Sequence, residues 1–227
     1  MAQTNTANPQ LYMRQQWAMQ MSDVLGSGRP AFDSLTKPAT DELRNRATTL
    51  RDKFKLDPAF MKEVDVRFGP LDWRLPEAHA IYWAAQGLKL AEEGSKKPAS
   101  DEIITLRRVI YQSQAFSFQH GALRSSPGEL RVELTPNLDI IPNLNASYEQ
   151  AIGEDSQNRE HIRRAHRNFL CEAVFALHTR GRQPEAVRWY KVLAKTYPNQ
   201  PLIQGDPNSL PGKMTCESYA SARRLEK

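Results

Sequence analysis

Apolar positions recur every three to four residues over most of the chain, the spacing that gives a helix one buried face. From Pro9, a good first helical residue, Leu11, Tyr12, Gln15, Trp17, Met19 and Met21 to Leu25 read as one amphipathic helix, which Gly26, Ser27 and Gly28 end. The small polar residues 1–8 before it are expected to fray. After a loop with two prolines, Thr40 or Asp41 caps a helix carrying Leu43, Ala47, Leu50 and Phe54. Asp57-Pro58 then opens a short third helix with Phe60, Met61, Val64 and Val66.

Gly69-Pro70 stops that helix, and Pro76 stands at a first-turn position of the next, which runs to about Glu93. Ile81, Ala84, Ala85, Leu88 and Ala91 form its stripe, and Tyr82 and Trp83 widen it until most of the circumference is apolar, which predicts a central helix. A linker, Gly94 to Pro98, leads to Ser100, where Asp101 and Glu102 suit the start of a long helix holding Ile103, Ile104, Leu106, Val109, Ile110, Ala115 and Phe116. Between Ser125 and Pro142 the period drops to two: Leu130, Val132 and Leu134 alternate with Arg131 and Glu133 before Pro136-Asn137. One or two short extended segments are predicted there, and no real sheet, since two strands alone would be marginal. A short helix over residues 146–152 follows.

The last third returns to helical spacing. Ile162, Ala165, Phe169, Leu170, Ala173, Val174 and Leu177 mark the inner face of a helix from Ser156 to about Arg180, ended by Gly181. Pro184 begins another, with Ala186, Val187, Tyr190, Val192, Leu193 and Ala194 apolar, stopped by Pro198, and the stretch from Thr215 reads as a final helix. The pattern predicts an all-α fold in one domain. Its parts are N-terminal helices (1–67), a hairpin (68–124), an insert (125–155), a second hairpin (156–198) and a C-terminal linker and helix (199–227). The helix from Pro76 is expected to pack on those from Thr40 and Ser100, with Tyr82, Trp83, Phe116, Phe169 and Tyr190 in the core.

Composition narrows the function classes. With 227 residues, 40% of them hydrophobic, a sizeable core is within reach. No run of about 18 apolar residues is present, so no membrane span is predicted. The start lacks a basic stretch followed by an apolar core, so no signal peptide is predicted, which favours the cytoplasm slightly over a compartment reached through a trimmed signal or anchor. Charge is uneven: residues 1–155 hold 18 Lys and Arg against 20 Asp and Glu, whereas residues 156–227 hold 13 against 6. Arg159, Arg163, Arg164 and Arg167 give the long C-terminal helix a positive surface, suited to nucleic acid or another anionic surface, or simply to solvent.

Catalytic and metal motifs are wanting. His161 and His166 lie about 140° apart on a helix, and there is no HExxH and no CxxC, so neither metal nor cofactor is expected. His79 and His166 read as polar anchors that bond a neighbouring helix end or loop. Cys171, within an apolar helix beside Glu172, reads as a small buried hydrophobe. Asp72, Arg74, Glu77 and His79 gather around Trp73, either as an acid–base cluster or as a turn that Asp72 or Arg74 bridges while Trp73 packs beneath.

Residues 78–94 align without a gap on residues 165–181, placing Ala78-His79 on Ala165-His166, Tyr82 on Phe169, Leu90 on Leu177 and Gly94 on Gly181. Two degenerate helix-turn-helix units separated by an insert would produce this. Gly181, Glu185-Ala186, Tyr190 and Pro198 have the order and spacing of a repeat's turn and second helix, and Trp83 with Gly87 matches a Trp-x-x-x-Gly first-helix signature. In these residues the chain resembles the tetratricopeptide-repeat family, over about 34 residues well and about 45 more weakly. It departs from the pattern at Leu170, where the family favours Trp, at Val174, where it favours a small residue, and in a lengthened loop before Ser100. The resemblance implies a right-handed array of helix hairpins and a non-catalytic interaction or scaffolding role, with a protein or peptide partner held by first-helix residues Asn168, Cys171, Phe175 and His178.

Overall fold

The structure, a computed structural model, describes residues 9–94, 100–125, 132–203 and 205–225. The expected fraying of residues 1–8, the linker over 95–98 and the alternation at Leu130 and Arg131 lie outside the described residues, as do the side chains of Leu11, Tyr12, Gln15, Ser100 and Val132. The described residues are mostly helical, with ten α-helices and one two-stranded sheet. The chain divides into two compact units, Met1–Ser147 and Tyr148–Lys227, each taken by itself below.

In the first unit, α1 (Pro9–Leu25), α3 (Asp41–Asp52) and α4 (Pro58–Phe68) begin where their caps predict. The Thr40 hydroxyl accepts from the Leu43 amide at 3.3 Å and the Asp57 carboxylate from the Phe60 amide at 3.1 Å. Between α1 and α3 the proline-bounded loop holds a five-residue helix, α2 (Phe32–Thr36), too short to show a period, which buries Leu35. The hairpin of α5 (Pro76–Glu93) and α6 (Ser100–His120) is closely packed, and a Cβ on Gly87 would lie 3.0 Å from the Leu106 side chain, so a residue without one suits this crossing. Its other main neighbour is α4, while α3 packs on α1, α2 and α4, so the expected contact between the central helix and the one from Thr40 is replaced by α4.

Trp83 and Phe116 depart from the expected core. Ala78, Ile81, Tyr82, Ala84, Ala85 and Leu88 are the buried face of α5, whereas Trp83 is 47% and Leu90 61% exposed. At about 100° per residue these two fall opposite the Ile81–Ala85–Leu88 stripe. A helix that is apolar nearly all round is covered here only on the sides its neighbours occupy. Phe116 is 40% exposed, with the Arg14 guanidinium 4.8 Å from its ring centre.

A turn from Phe68 to Leu75, with a cis Gly69-Pro70 bond, precedes α5 and collects bonds from distant segments. Three successive carbonyls accept from side-chain amides: Phe68 from Gln114 (2.8 Å), Gly69 from Asn143 (2.6 Å) and Pro70 from Asn137 (2.7 Å). One Asp65 carboxylate oxygen accepts from the Leu71 amide and from the indole of Trp73, which is fully buried. Polar backbone at the centre of a packed unit is satisfied in this way at no expense of regular structure.

After α6, β1 (Ala122–Ser125) pairs antiparallel with β2 (Val132–Thr135), Leu123 opposite Leu134. The extended stretch thus starts before Ser125 and ends well short of Pro142, and its two segments pair into a sheet where none was expected. Residues 138–140 form a 3-10 turn, and α7 (Ile141–Glu154) takes Pro142 into its first turn, where a missing N–H costs nothing.

In the second unit, α8 (Arg159–Thr179) starts three residues later than expected, because Asp155 turns the chain by accepting from the Asn158 amide (2.9 Å) and side chain. Gly181, at φ +77°, ends it: Gly181 N–H bonds His178 O and Arg182 N–H bonds Leu177 O, the paired arrangement of a glycine-terminated helix. The following α9 (Gln183–Thr196) buries Ala186, Trp189, Tyr190 and Leu193, so Trp189 takes the inner place expected for Val187, which is exposed. Finally α10 (Cys216–Leu225) packs on α8 and α9. The Tyr190 hydroxyl reaches the carbonyls of Met214 (2.8 Å) and Pro211, and Tyr219 donates to Cys171 O (3.0 Å).

Candidate functional site

The group around Trp73 is bonded as a turn. Asp72 and Arg74 form a two-pronged pair (2.9 and 2.7 Å), Asp72 accepts from the Leu123 amide, and Arg74 donates to Leu123 O, so the pair fastens the turn to β1. Gly28 lies against Asp72 so closely that a Cβ would come 2.4 Å from the carboxylate. Glu77 is taken by Arg14 (2.7 and 2.8 Å), and His79 Nε2–H donates to Trp73 O at 2.9 Å. A cleft of about 290 Å³ opens beside Asp72 and Arg74, but Glu77 and His79 do not line it, so the four residues do not share one cavity.

The outer face of α8 is different. Asn168, Cys171, Phe175 and His178 fall together opposite the Ile162–His166–Leu170–Leu177 stripe, as the helical spacing requires. They are not equally open. Asn168 is exposed, Phe175 and His178 are half-buried, and Cys171 is buried, its carbonyl bonded by Tyr219 from α10. Arg223, also on α10, pairs with Glu172, donates to the Tyr219 hydroxyl (2.6 Å) and lies 5.7 Å from the Phe175 ring centre. Part of the expected groove is therefore filled by the chain's own last helix.

Where α10 leaves α8 uncovered, a cavity of about 620 Å³ opens, within the range of ligand sites. Arg164, Arg167, Asn168 and Cys171 line it from α8, Arg223 from α10, and Pro201 to Ile203 from the connecting loop. Arg167 donates to Pro201 O through Nη2 and to Asn168 Oδ1 (3.2 Å) through Nη1, while its Nε–H is buried with no acceptor among the described residues. Half of the expected basic face ends here. The other half is used within the unit: Arg159 donates to Ile152 O (3.1 Å), and Arg163 lies over the Tyr197 ring and 3.8 Å from Glu160.

Burial raises the Cys171 thiol above its ordinary range, so a neutral group faces the cavity. It pushes Tyr190 up to about 12 and Tyr219 higher still, which keeps both hydroxyls protonated as donors. The two histidines shift together. His166 is fully buried among Tyr148, Phe169 and Tyr197, and burial, helped by Arg163, lowers its pKa to about 4. Tyr197 donates its one proton to Arg163 O, so at 3.0 Å His166 Nδ1 is the donor to the Tyr197 oxygen. His79 is lowered too, burial outweighing its bond to Trp73 and the nearby Glu77. Both bond a loop or helix end as expected. Among the described residues no group of three His, Cys, Asp or Glu side chains is placed to hold a metal ion, and no helix is long and apolar enough to cross a membrane.

Arg223 and the loop at 201–203 belong to the cavity and were not foreseen. Their only linear signal is a basic, Tyr-containing final helix, and nothing in its spacing names α8 as its neighbour. Together these features define a helical protein with an arginine-lined cavity on one hairpin. No protein-family model matches the chain, and neither does any curated protein or solved structure. The tetratricopeptide likeness thus rests on the residues that carry it.

Proposed function

We propose that the chain is a non-catalytic interaction module, a tetratricopeptide-like set of helix hairpins in which the outer face of α8 receives a protein or peptide partner. The supporting observation is the open cavity beside Asn168, a concavity on the face that the repeat pattern nominates. Elsewhere, the groups suited to acid–base work are engaged: Asp72 with Arg74, Glu77 with Arg14, His79 with Trp73 and His166 with Tyr197. The reading of the basic helix as a nucleic-acid surface draws less support, since Arg159 and Arg163 are already held by partners within the unit and a phosphate tract needs several free cations in a row.

The test is comparative capture. A partner retained by the immobilised parent should be lost with Asn168→Glu and kept with Leu90→Glu, which alters an exposed apolar residue of the first unit. Equal retention by both variants overturns the proposal.

A further inference from the structure

We infer that the outer face of α9 binds the phosphate backbone of a nucleic-acid duplex through Arg188, Lys191 and Lys195. This surface is separate from the α8 docking face, and it supplies the row of free cations that α8 lacks.

Spacing is the first argument. The three residues stand at i, i+3 and i+7, so they leave one side of the helix in a line. All three are exposed. Lys191 and Lys195 have no hydrogen-bond or ion-pair partner among the described residues. Arg188 lies over its neighbour Trp189, 5.7 Å from the ring centre, a contact that leaves its N–H donors unused. At about 1.5 Å per residue the row spans about 10 Å, over which one strand of a duplex presents about three phosphates.

The lack of counter-charge is the second. On the helices of the first unit, exposed cations find carboxylates: Arg44 with Asp41, Arg51 with Asp57, Lys62 with Asp33 and Lys89 with Glu63. On α9 the sole carboxylate, Glu185, is held at both oxygens by Arg182 (2.6 and 2.7 Å). Like charges three and four residues apart repel and destabilise a helix, and the helix dipole offsets this only at Lys195, in the last turn. A polyanion laid along the row removes that repulsion.

The rest of the helix selects among polyanions. Trp189 and Tyr190, its aromatic residues, are buried, so α9 offers no ring on which an unpaired base could stack, the device that binders of single strands use. Its apolar side, with Ala186, Trp189, Tyr190 and Leu193, is packed inside the unit and cannot enter a bilayer. What is left is a line of charge, which meets a backbone and reads no bases.

The experiment uses the whole chain and fluorescence anisotropy with two labelled DNA duplexes of equal length and unrelated sequence. Unlabelled duplex and anionic phospholipid vesicles serve as competitors. Both duplexes should bind saturably and alike at low salt, and the logarithm of the binding constant should fall against that of the salt concentration with a slope of about −3. Lys191→Gln, an exposed change that removes no internal bond, should weaken both duplexes equally, by about tenfold at moderate salt, and flatten the slope by about one. Lys89→Gln, exposed on α5 but paired with Glu63, should alter neither. No saturable binding, a preference for one duplex, indifference to Lys191→Gln, an equal effect of Lys89→Gln, or displacement by vesicles at a lower phosphate concentration than unlabelled duplex needs each overturns the inference. The row lies on α9, so the outcome is independent of whether Asn168 governs partner capture.

Discussion

The α5–α6 and α8–α9 hairpins share letters and differ in which side of the first helix is inside. At the aligned positions, Trp83 is exposed where Leu170 is fully buried, Leu90 is exposed where Leu177 is fully buried, and Ile81 is fully buried where Asn168 is exposed. The buried stripes of α5 and α8 are about half a turn apart under the gapless alignment. Among the buried positions, Tyr82 with Phe169 and Ala84 with Cys171 keep the same environment. Sequence likeness between two helices does not make them equivalent in packing: a helix's face is chosen by what surrounds it, and α5 meets α4 and α6 whereas α8 meets α9 and α10.

Substitution at matched and neighbouring positions separates the two hairpins, and equilibrium denaturation of the whole chain followed by hydrogen exchange on each unit provides the readout. The largest effect is expected at Trp73, whose replacement by Ala removes a fully buried indole and leaves Asp65 short of a donor, destabilising the first unit by about 3–5 kcal/mol. Trp83→Ala, in the same unit, should shift it by less than about 1 kcal/mol. A loss at Trp83 equal to that at Trp73 would put Trp83 in the core after all.

Leu177→Ala should destabilise the second unit by about 2–5 kcal/mol, and its aligned counterpart Leu90→Ala should do little to the first. Comparable losses would mean that the two helices bury corresponding faces.

His166 gives the comparison a pH axis. Its folded pKa, about 4, lies below the ordinary 6.5, so the unfolded chain takes up the proton first as pH falls. The neutral ring's contribution is complete above pH 6.5, declines as pH drops toward 4 and levels off below, amounting to about 3 kcal/mol. His166→Phe should remove this slope from the second unit, and a slope that persists in the variant assigns it to another group.

The smallest of the four is in the turn. Asn137→Ala leaves the Pro70 carbonyl without its donor and should cost the first unit about 1–3 kcal/mol while protection in α8 and α9 is unchanged.

Local chemistry was legible from the sequence wherever one residue decides an outcome. Thr40, Asp57, Pro76 and Gly181 each start or stop a helix as their side chains or their lack of one dictate. The Asp72–Trp73–Arg74 turn was legible as one of two alternatives, and its bonds are those of the bridging one. What failed depends on neighbours far along the chain. Trp83 and Phe116 look like core because periodicity counts apolar residues and says nothing of which side has company. The cavity escaped for the same reason: Arg164 and Arg167 could be named as a basic face, but the helix that walls it lies some fifty residues further on, as the contacts of Arg223 with Glu172 and Tyr219 with Cys171 record.

The three amides on the Phe68–Pro70 carbonyls also bear on how the chain is made. Gln114, Asn137 and Asn143 lie 46, 67 and 74 residues from their acceptors, so a chain emerging from the ribosome holds every helix through α6 before the turn at its centre can close. A fragment cut after β1 would retain the whole of α1 to α6 and still leave two of those carbonyls unpaired. The functional length of the first unit is therefore set by two asparagines beyond its last hairpin.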